Sequence, residues 1–149
     1  MAAGARGGAE PSCRARRAVI LADTSVWIEY LRRGRTGWAR ELDELLTRGE
    51  VMMCGPVLAE LVAGVPAERR SDYALRLRAL PWSGLDRDGW LRAGLVRGDL
   101  LRAGFSASLI DIAIAVSAAQ ANASLWTADA AHERVAAGMS DLTIRYQRL

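Results

Sequence analysis

From residue 19 onward, apolar positions come either in short unbroken runs or in stripes of helical period. Residues 19–22, Val-Ile-Leu-Ala, form a run too short for a helix and read as a buried strand. Asp23-Thr24-Ser25 then opens a helix through Val26, Trp27 and Ile28 to Leu31, which stops near Gly34. Residues 36–48 place Trp38, Leu42, Leu45 and Leu46 on one side of an amphipathic helix ended by Gly49. Residues 51–54 read as a second strand, and Gly55-Pro56 starts a helix to Gly64, with proline at its favoured first position. A further helix starts at Pro66 and ends before Pro81, and Pro81-Trp82-Ser83 is a candidate short strand. Residues 86–103 are helical up to Gly104, and residues 108–122 form an apolar, alanine-rich helix. A strand at 124–127, a short helix at 130–137 and a last strand at 142–146 follow. Strands alternating with helices predict an α/β fold: a three-layer α/β/α sandwich with a mainly parallel sheet of four to five strands.

The segment 1–17 stands outside this pattern and reads as a flexible Arg/Gly/Ala-rich tail before a domain spanning 18–149. The apolar run behind Arg16-Arg17 is too short for a signal peptide, and no stretch is long enough to span a membrane, so a cytoplasmic location is expected. The tail also explains the charge. Its four arginines against Glu10 supply the whole net +3, while the body balances sixteen arginines against sixteen acids. The basic balance therefore does not by itself imply a nucleic-acid partner.

Composition narrows the chemistry further. The chain of 149 residues has no lysine, which excludes a P-loop and Schiff-base catalysis. One histidine and two cysteines 41 residues apart cannot build a Cys/His zinc site within one chain or a disulfide scaffold. Carboxylates, hydroxyls and arginine remain.

Three acids sit just past predicted strands: Asp23 after the first, Glu60 about one turn into the helix after the second, and Asp129 two residues beyond 124–127. In open parallel sheets, sites form at the carboxyl ends of the strands. Asp111 is the fourth, the only ionisable residue in the 26-residue span 103–128. A lone carboxylate among apolar neighbours is costly unless paired, hydrogen-bonded or metal-bound. Clustered carboxylates raise each other's pKa, and a divalent cation reverses that balance. All-oxygen ligation favours Mg²⁺ or Mn²⁺, and the chemistry such ions support is phosphodiester hydrolysis.

Each acid also has a purely structural reading. Asp23 fits a helix N-cap, Glu60 a solvated surface position, Asp111 a capping box with Ser108, and Asp129 a turn or cap before Ala130. His132 reads as a surface-helix residue and Cys54 as a buried strand residue, while Cys13 lies in the tail. Most of the five tryptophans read as core or interface anchors.

Four segments in series carry a resemblance: 19–31 (VILADTSVWIEYL), 56–61 (PVLAEL), 110–115 (IDIAIA) and 125–129 (LWTAD). Over about residues 18–146 the chain resembles the PIN-domain ribonucleases, and within them the VapC toxins of bacterial toxin–antitoxin pairs. The resemblance implies that Asp23, Glu60, Asp111 and Asp129 form an acidic quartet holding Mg²⁺ or Mn²⁺, supported by the hydroxyls of Thr24, Ser25 and Thr127. It further implies a homodimer and a cognate VapB antitoxin that masks the site with a basic side chain. Where the family often continues with a second Asp and a Phe, this chain has Ala131 and His132.

The resulting expectation is a metal-dependent endoribonuclease toxin. Asp23 and Asp111 would be the principal metal ligands, with Glu60 completing the site. Asp129 would orient a water or hold a second, weaker ion. Arg32, Arg33, Arg35 and Arg40 are the candidate contacts to RNA phosphate. The rival readings are a non-catalytic protein-binding module that uses the acids as caps, and a DNA-directed nuclease with the same site.

Overall fold

The structure, a computed structural model, describes residues 19–33 and 37–146. The tail, Cys13 and Arg35 lie outside the described residues. The elements run β1 (Ile20–Ala22), α1 (Thr24–Arg33), α2 (Trp38–Thr47), β2 (Val51–Met52) and α3 (Gly55–Ala63). A 3₁₀ turn (Ala67–Arg69) leads into α4 (Arg70–Arg78), followed by α5 (Arg87–Arg102) and α6 (Leu109–Gln120). β3 (Ser124–Thr127), α7 (Ala131–Ala137) and β4 (Thr143–Tyr146) complete the order.

The four strands pair in the order β2-β1-β3-β4, all parallel. Ile20 lies opposite Val51 on one side and Ser124 on the other, and Trp126 opposite Arg145. Parallel crossovers are right-handed. The β1-to-β2 connection moves one way along the sheet, and the connections leaving β2 and β3 move the other way. The two groups of helices therefore cover opposite faces, which gives the three layers. The reversal falls between β1 and β3, so the crevice of an open α/β sheet opens at their carboxyl ends.

Several predicted boundaries shift for identifiable reasons. The second strand is shorter than its apolar run. Met53 makes one isolated bridge to Trp82, and Cys54 has become the N-cap position of α3. Pro81-Trp82-Ser83 thus reduces to a single bridged position. Met53 donates to Pro81 C=O and accepts from Ser83 N–H at 2.8 Å each, and proline has no N–H with which to extend the ladder. The helix expected from Pro66 begins as the 3₁₀ turn before α4 forms.

The alanine-rich pattern of α6 has a packing cause. Residues Ile112 to Ala118 are all buried, because the helix lies between α5 and β3. Small side chains let a helix enclosed on several sides approach its neighbours. Asn122, at φ 52°, then takes the left-handed conformation that ends α6, with Ala123 N–H bonding Ala118 C=O at 2.9 Å, and turns the chain into β3.

The core centres on Leu21, Leu125 and Trp126 of the inner strands. Val26, Leu42, Val51 and Met53 complete one part of it, and Ile112, Ile114 and Val116 of α6 another. Trp27 and Trp126 are the core tryptophans. Trp38 packs edge-on against Trp126 at 5.8 Å, whereas Trp82 and Trp90 are about half exposed. No described helix is long and apolar enough to cross a membrane.

Candidate active site

Asp23 is the residue after β1, and its N–H bonds the carbonyl of Trp126 on β3 at 2.9 Å. That bond continues the β1–β3 ladder past the last paired residue and fixes the backbone of Asp23 at the crevice. The Asp23 carbonyl accepts the first helical bonds, from Val26 and Trp27 N–H. The backbone therefore occupies the N-cap position, but the carboxylate does not cap. It is only 5% exposed, and one of its oxygens, Oδ2, accepts from Ser25 Oγ at 2.9 Å and Thr127 Oγ1 at 2.8 Å.

Backbone amides set the direction of these two hydroxyls. Ala128 N–H donates to Ser25 Oγ at 3.1 Å, and Asp129 N–H donates to Thr127 Oγ1 at 3.0 Å. A hydroxyl has one proton to give. With an amide proton on its lone pair, each hydroxyl turns its own proton to Asp23. The loop after β3 thus orients the carboxylate with neutral donors and leaves its charge in place. No hydrogen bond reaches Oδ1 among the described residues.

Glu60 lies exposed in the second turn of α3, and its Oε2 accepts from Thr24 Oγ1 at the start of α1. Asp23 and Glu60 face a common neighbour, Cys54. Burial pushes the Cys54 thiol up to about 11, and the two carboxylates push in the same direction. Asp111 sits in the first turn of α6. Its N–H donates to Ser108 Oγ at 3.0 Å, so half of the predicted capping box is formed. Its carboxylate is part-exposed, and the flanking Leu109 and Ile110 are exposed as well. The expectation of a carboxylate enclosed by apolar neighbours is corrected accordingly. α6 runs back along the sheet into β3, which puts its N-terminus at the same carboxyl edge as Asp23. Asp129 is exposed, and its Oδ1 accepts from Ala131 N–H at 2.8 Å, an Asx turn opening α7.

The structure thus brings Asp23, Ser25 and Thr127 into one hydrogen-bonded unit and joins Thr24 to Glu60. Asp111 and Asp129 stand at the same edge without bonding either. None of the four carboxylates has an arginine partner among the described residues, whereas Glu41, Glu50, Asp72, Asp99 and Asp141 each do. The donors are hard oxygens with open lone pairs, which suits Mg²⁺ or Mn²⁺. Among the described residues, however, no three His, Cys, Asp or Glu side chains are drawn together into a metal-holding group.

The predicted arginine cluster divides. Arg32 lines a groove of about 290 Å³ with Ile28, Leu31, Glu60, Leu61, Gly64 and Val65. Arg40 lies instead in a depression with Asp43, Glu44, Thr47 and Arg48 on α2. The Arg33 side chain, like Arg35, lies outside the described residues.

His132 departs from the surface-helix expectation. It is 1% exposed, with Nδ1 3.3 Å from Thr127 Oγ1 and 3.8 Å from Asp23 Oδ2. The signal was present in the spacing. His132, Val135 and Met139 are all buried at helical intervals, while the charged Glu133 and Arg134 between them suggested a surface helix.

A parallel α/β sheet with Asp23 at its switch point and three more carboxylates along the same edge, none paired with an arginine among the described residues, defines a class of acidic-site α/β proteins. Within that class the comparisons are specific. A family model described as "PIN domain" matches residues 20–138, and the chain belongs to the PIN-domain family. No curated protein matches it. Among solved structures it is similar to DNA-bound VapBC from Salmonella typhimurium (21% identity, TM-score 0.70, covering 87% of this chain and 98% of that one). It is also similar to VapBC2 from Rickettsia felis bound to a DNA fragment from its promoter (19%, 0.69, 87% and 98%). VapBC-1 from nontypeable Haemophilus influenzae is a third such structure (22%, 0.66, 86% and 97%). At these identities the likeness establishes the fold.

Proposed function

We propose that this chain is a metal-dependent endoribonuclease, the toxin of a VapBC-type pair, acting as a homodimer and held inactive by a cognate antitoxin. The observation that carries the reading is the Asp23 clamp: a buried carboxylate oriented by two hydroxyls, with no arginine partner among the described residues, at the switch point of a PIN fold. PIN domains are nucleases that typically use a divalent metal. Asp23, Asp111 and Glu60 would hold Mg²⁺ or Mn²⁺, with Asp129 orienting a water or a weaker second ion. Such an ion would supply Lewis-acid stabilisation of phosphate charge and an activated water. Ser25 and Thr127 hold the direction of Asp23, and Thr24 does the same for Glu60. Arg32, which lines a groove with Glu60, would meet an RNA phosphate, and that groove's apolar wall would receive a segment of the antitoxin. The toxin–antitoxin names of the similar structures support the partner.

One observation favours a second reading, a non-catalytic PIN module: among the described residues the carboxylates do not stand together as a ready three-ligand group. Mapping RNA ends after incubation with the purified full chain separates the two. The expected result is discrete cleavage with Mn²⁺ or Mg²⁺, stopped by EDTA and reduced about a thousandfold in Asp23→Asn, which corresponds to several kcal/mol of transition-state stabilisation. Metal-independent cleavage, or an equally active Asp23→Asn, overturns the site. Preference for DNA over RNA of matched sequence would reassign the substrate.

A further inference from the structure

α5 has two apolar faces, and the fold covers one of them. Gly89, Ala93, Val96 and Leu100 are buried. At 3.6 residues per turn, Trp90, Leu91, Gly94, Leu95, Gly98 and Leu101 share the opposite side, within an arc of about 140°. The four large side chains among them are 47% to 62% exposed, and an apolar strip of that kind on a soluble chain marks a surface that docks. The glycines point the same way. A Cβ at Gly89 would stand 2.8 Å from Gln120 Oε1, so the packing of α5 on α6 accounts for that glycine. No neighbour lies within 4 Å of a Cβ at Gly94, and only the end of the Arg102 side chain, at 3.6 Å, lies near one at Gly98. Both glycines weaken the helix, and nothing among the described residues requires their smallness. Along the strip, projections and hollows alternate: Leu91, Gly94, Leu95, Gly98.

We propose that this strip is the face on which a second copy of the chain docks, α5 antiparallel to α5. A two-fold axis between residues 94 and 95 sets Leu95 opposite Gly94 of the second copy and Leu91 opposite its Gly98. Symmetry repeats both contacts. One operator therefore seats all four leucines of the pair against glycines, the large-against-small arrangement that lets facing surfaces interdigitate. The charges agree. Arg87 and Arg102 stand at the two ends of the strip, Arg87 beside Asp88 in the chain and Arg102 hydrogen-bonded to Asp99. The ends that meet in the antiparallel pair bring together two charges of each sign. With Phe105 just beyond α5, the exposed side chains offer on the order of 500 Å² per copy, or about 1,000 Å² for the pair, the size at which an interface becomes specific. The docked pair is the homodimer of the function proposed above, on which this reading rests.

Sedimentation equilibrium of the full chain, without metal or RNA, reads the pair independently of catalysis. The parent should dimerise. Leu95→Glu puts two charges into the apolar strip and should weaken the dimer about a hundredfold. Gly94→Leu fills a hollow and should weaken it about tenfold or more. Both positions are exposed in the single chain, so circular dichroism should show the parent fold. Gly94→Leu combined with Leu95→Gly exchanges projection and hollow and should recover the dimer to within about tenfold of the parent. Leu91→Glu and Gly98→Leu repeat the measurement should the first variants not fold. A parent that stays monomeric up to its solubility limit overturns the homodimer and this face together. A dimer that survives both Leu95→Glu and Gly94→Leu overturns this face and leaves the homodimer standing. A dimer lost in both but not recovered by the exchange overturns the antiparallel pairing. None of these results bears on the Asp23 site, which the cleavage experiment tests.

Discussion

Glu41 and Asp23 are carboxylates held in opposite ways. Glu41 on α2 is gripped by both guanidinium nitrogens of Arg145, at 2.6 and 2.5 Å, and that guanidinium also stacks 4.1 Å over Trp126. Its charge is cancelled where it stands. Asp23 is gripped by two hydroxyl protons and meets no arginine among the described residues. Its direction is fixed while its charge is kept. A neutralised carboxylate ties β4 to α2 and has little left to offer a cation. An oriented but uncompensated one, 5% exposed, needs a positive partner to offset its desolvation. The contrast separates a neutralised acid from an oriented one without reference to any relative.

The sharpest way to break this contrast is to remove each acid in turn. Asp23→Ala leaves the buried Thr127 proton and the half-buried Ser25 proton without an acceptor and should lower stability by about 2–3 kcal/mol, whereas Glu41→Ala should cost about 1 kcal/mol or less. Mn²⁺ should separate them further. At about a hundredfold excess over Kd, a ligand binding only the folded state adds about 2.7 kcal/mol, a rise of about 5–10 °C in Tm for a chain of this size. Thermal melts should show that rise in the parent and in Glu41→Ala, and none in Asp23→Ala. An equal rise in all three would mean that Asp23 is not a ligand.

Much of this contrast was legible in the sequence, for a physical reason. Buried parallel strands are short unbroken apolar runs, so the ends of β1 and β3 were marked, and the connection rules carried Asp23 and Thr127 to one edge. The losses came where hydrophobicity and geometry part. Cys54 is as apolar as a strand residue and as buried, yet it caps a helix. Leu109 and Ile110 made the start of α6 look enclosed, but both face outward and leave Asp111 half in water. His132 hid behind its charged neighbours. The pairing of Glu41 with Arg145 joins residues 104 apart, and no local pattern announces it.

The Glu41 side of the contrast can be sharpened by pH. The hydrogen bonds from Arg145 hold the Glu41 carboxyl below its ordinary 4.5, against an opposing push from burial. Arg92 lowers Asp141 in the same way. A carboxyl depressed in the folded state stabilises fully above its unfolded value, and the contribution disappears as pH falls through the lower folded value. Arg145→Ala should therefore lower stability by about 1 kcal/mol at pH 7, since both partners are over a third exposed. The gap from the parent should narrow below about pH 4, where Glu41 protonates and only the stacking on Trp126 remains. Urea melts from pH 7 to 3 measure this. A gap that stays constant would assign the whole effect to Arg145 over the indole.

The smallest effect is expected at Cys54, which lies between the two kinds of environment. It is fully buried, and Asp23 and Glu60 both act on it. A thiolate there would add a soft sulfur to an oxygen site and turn its preference toward zinc. The charge balance prevents this. Burial, reinforced by Asp23 and Glu60 against hydrogen bonds with Val57 and Ser117, holds the thiol at about 11, so roughly one molecule in a thousand carries the thiolate at pH 8. Iodoacetamide at pH 8, followed by peptide mass mapping to separate Cys54 from Cys13, should leave Cys54 unmodified in the folded chain and modify it in urea. Rapid native alkylation would mean that the pocket beside Asp23 carries a positive group after all, and the uncompensated charge on which the contrast with Glu41 depends would be gone.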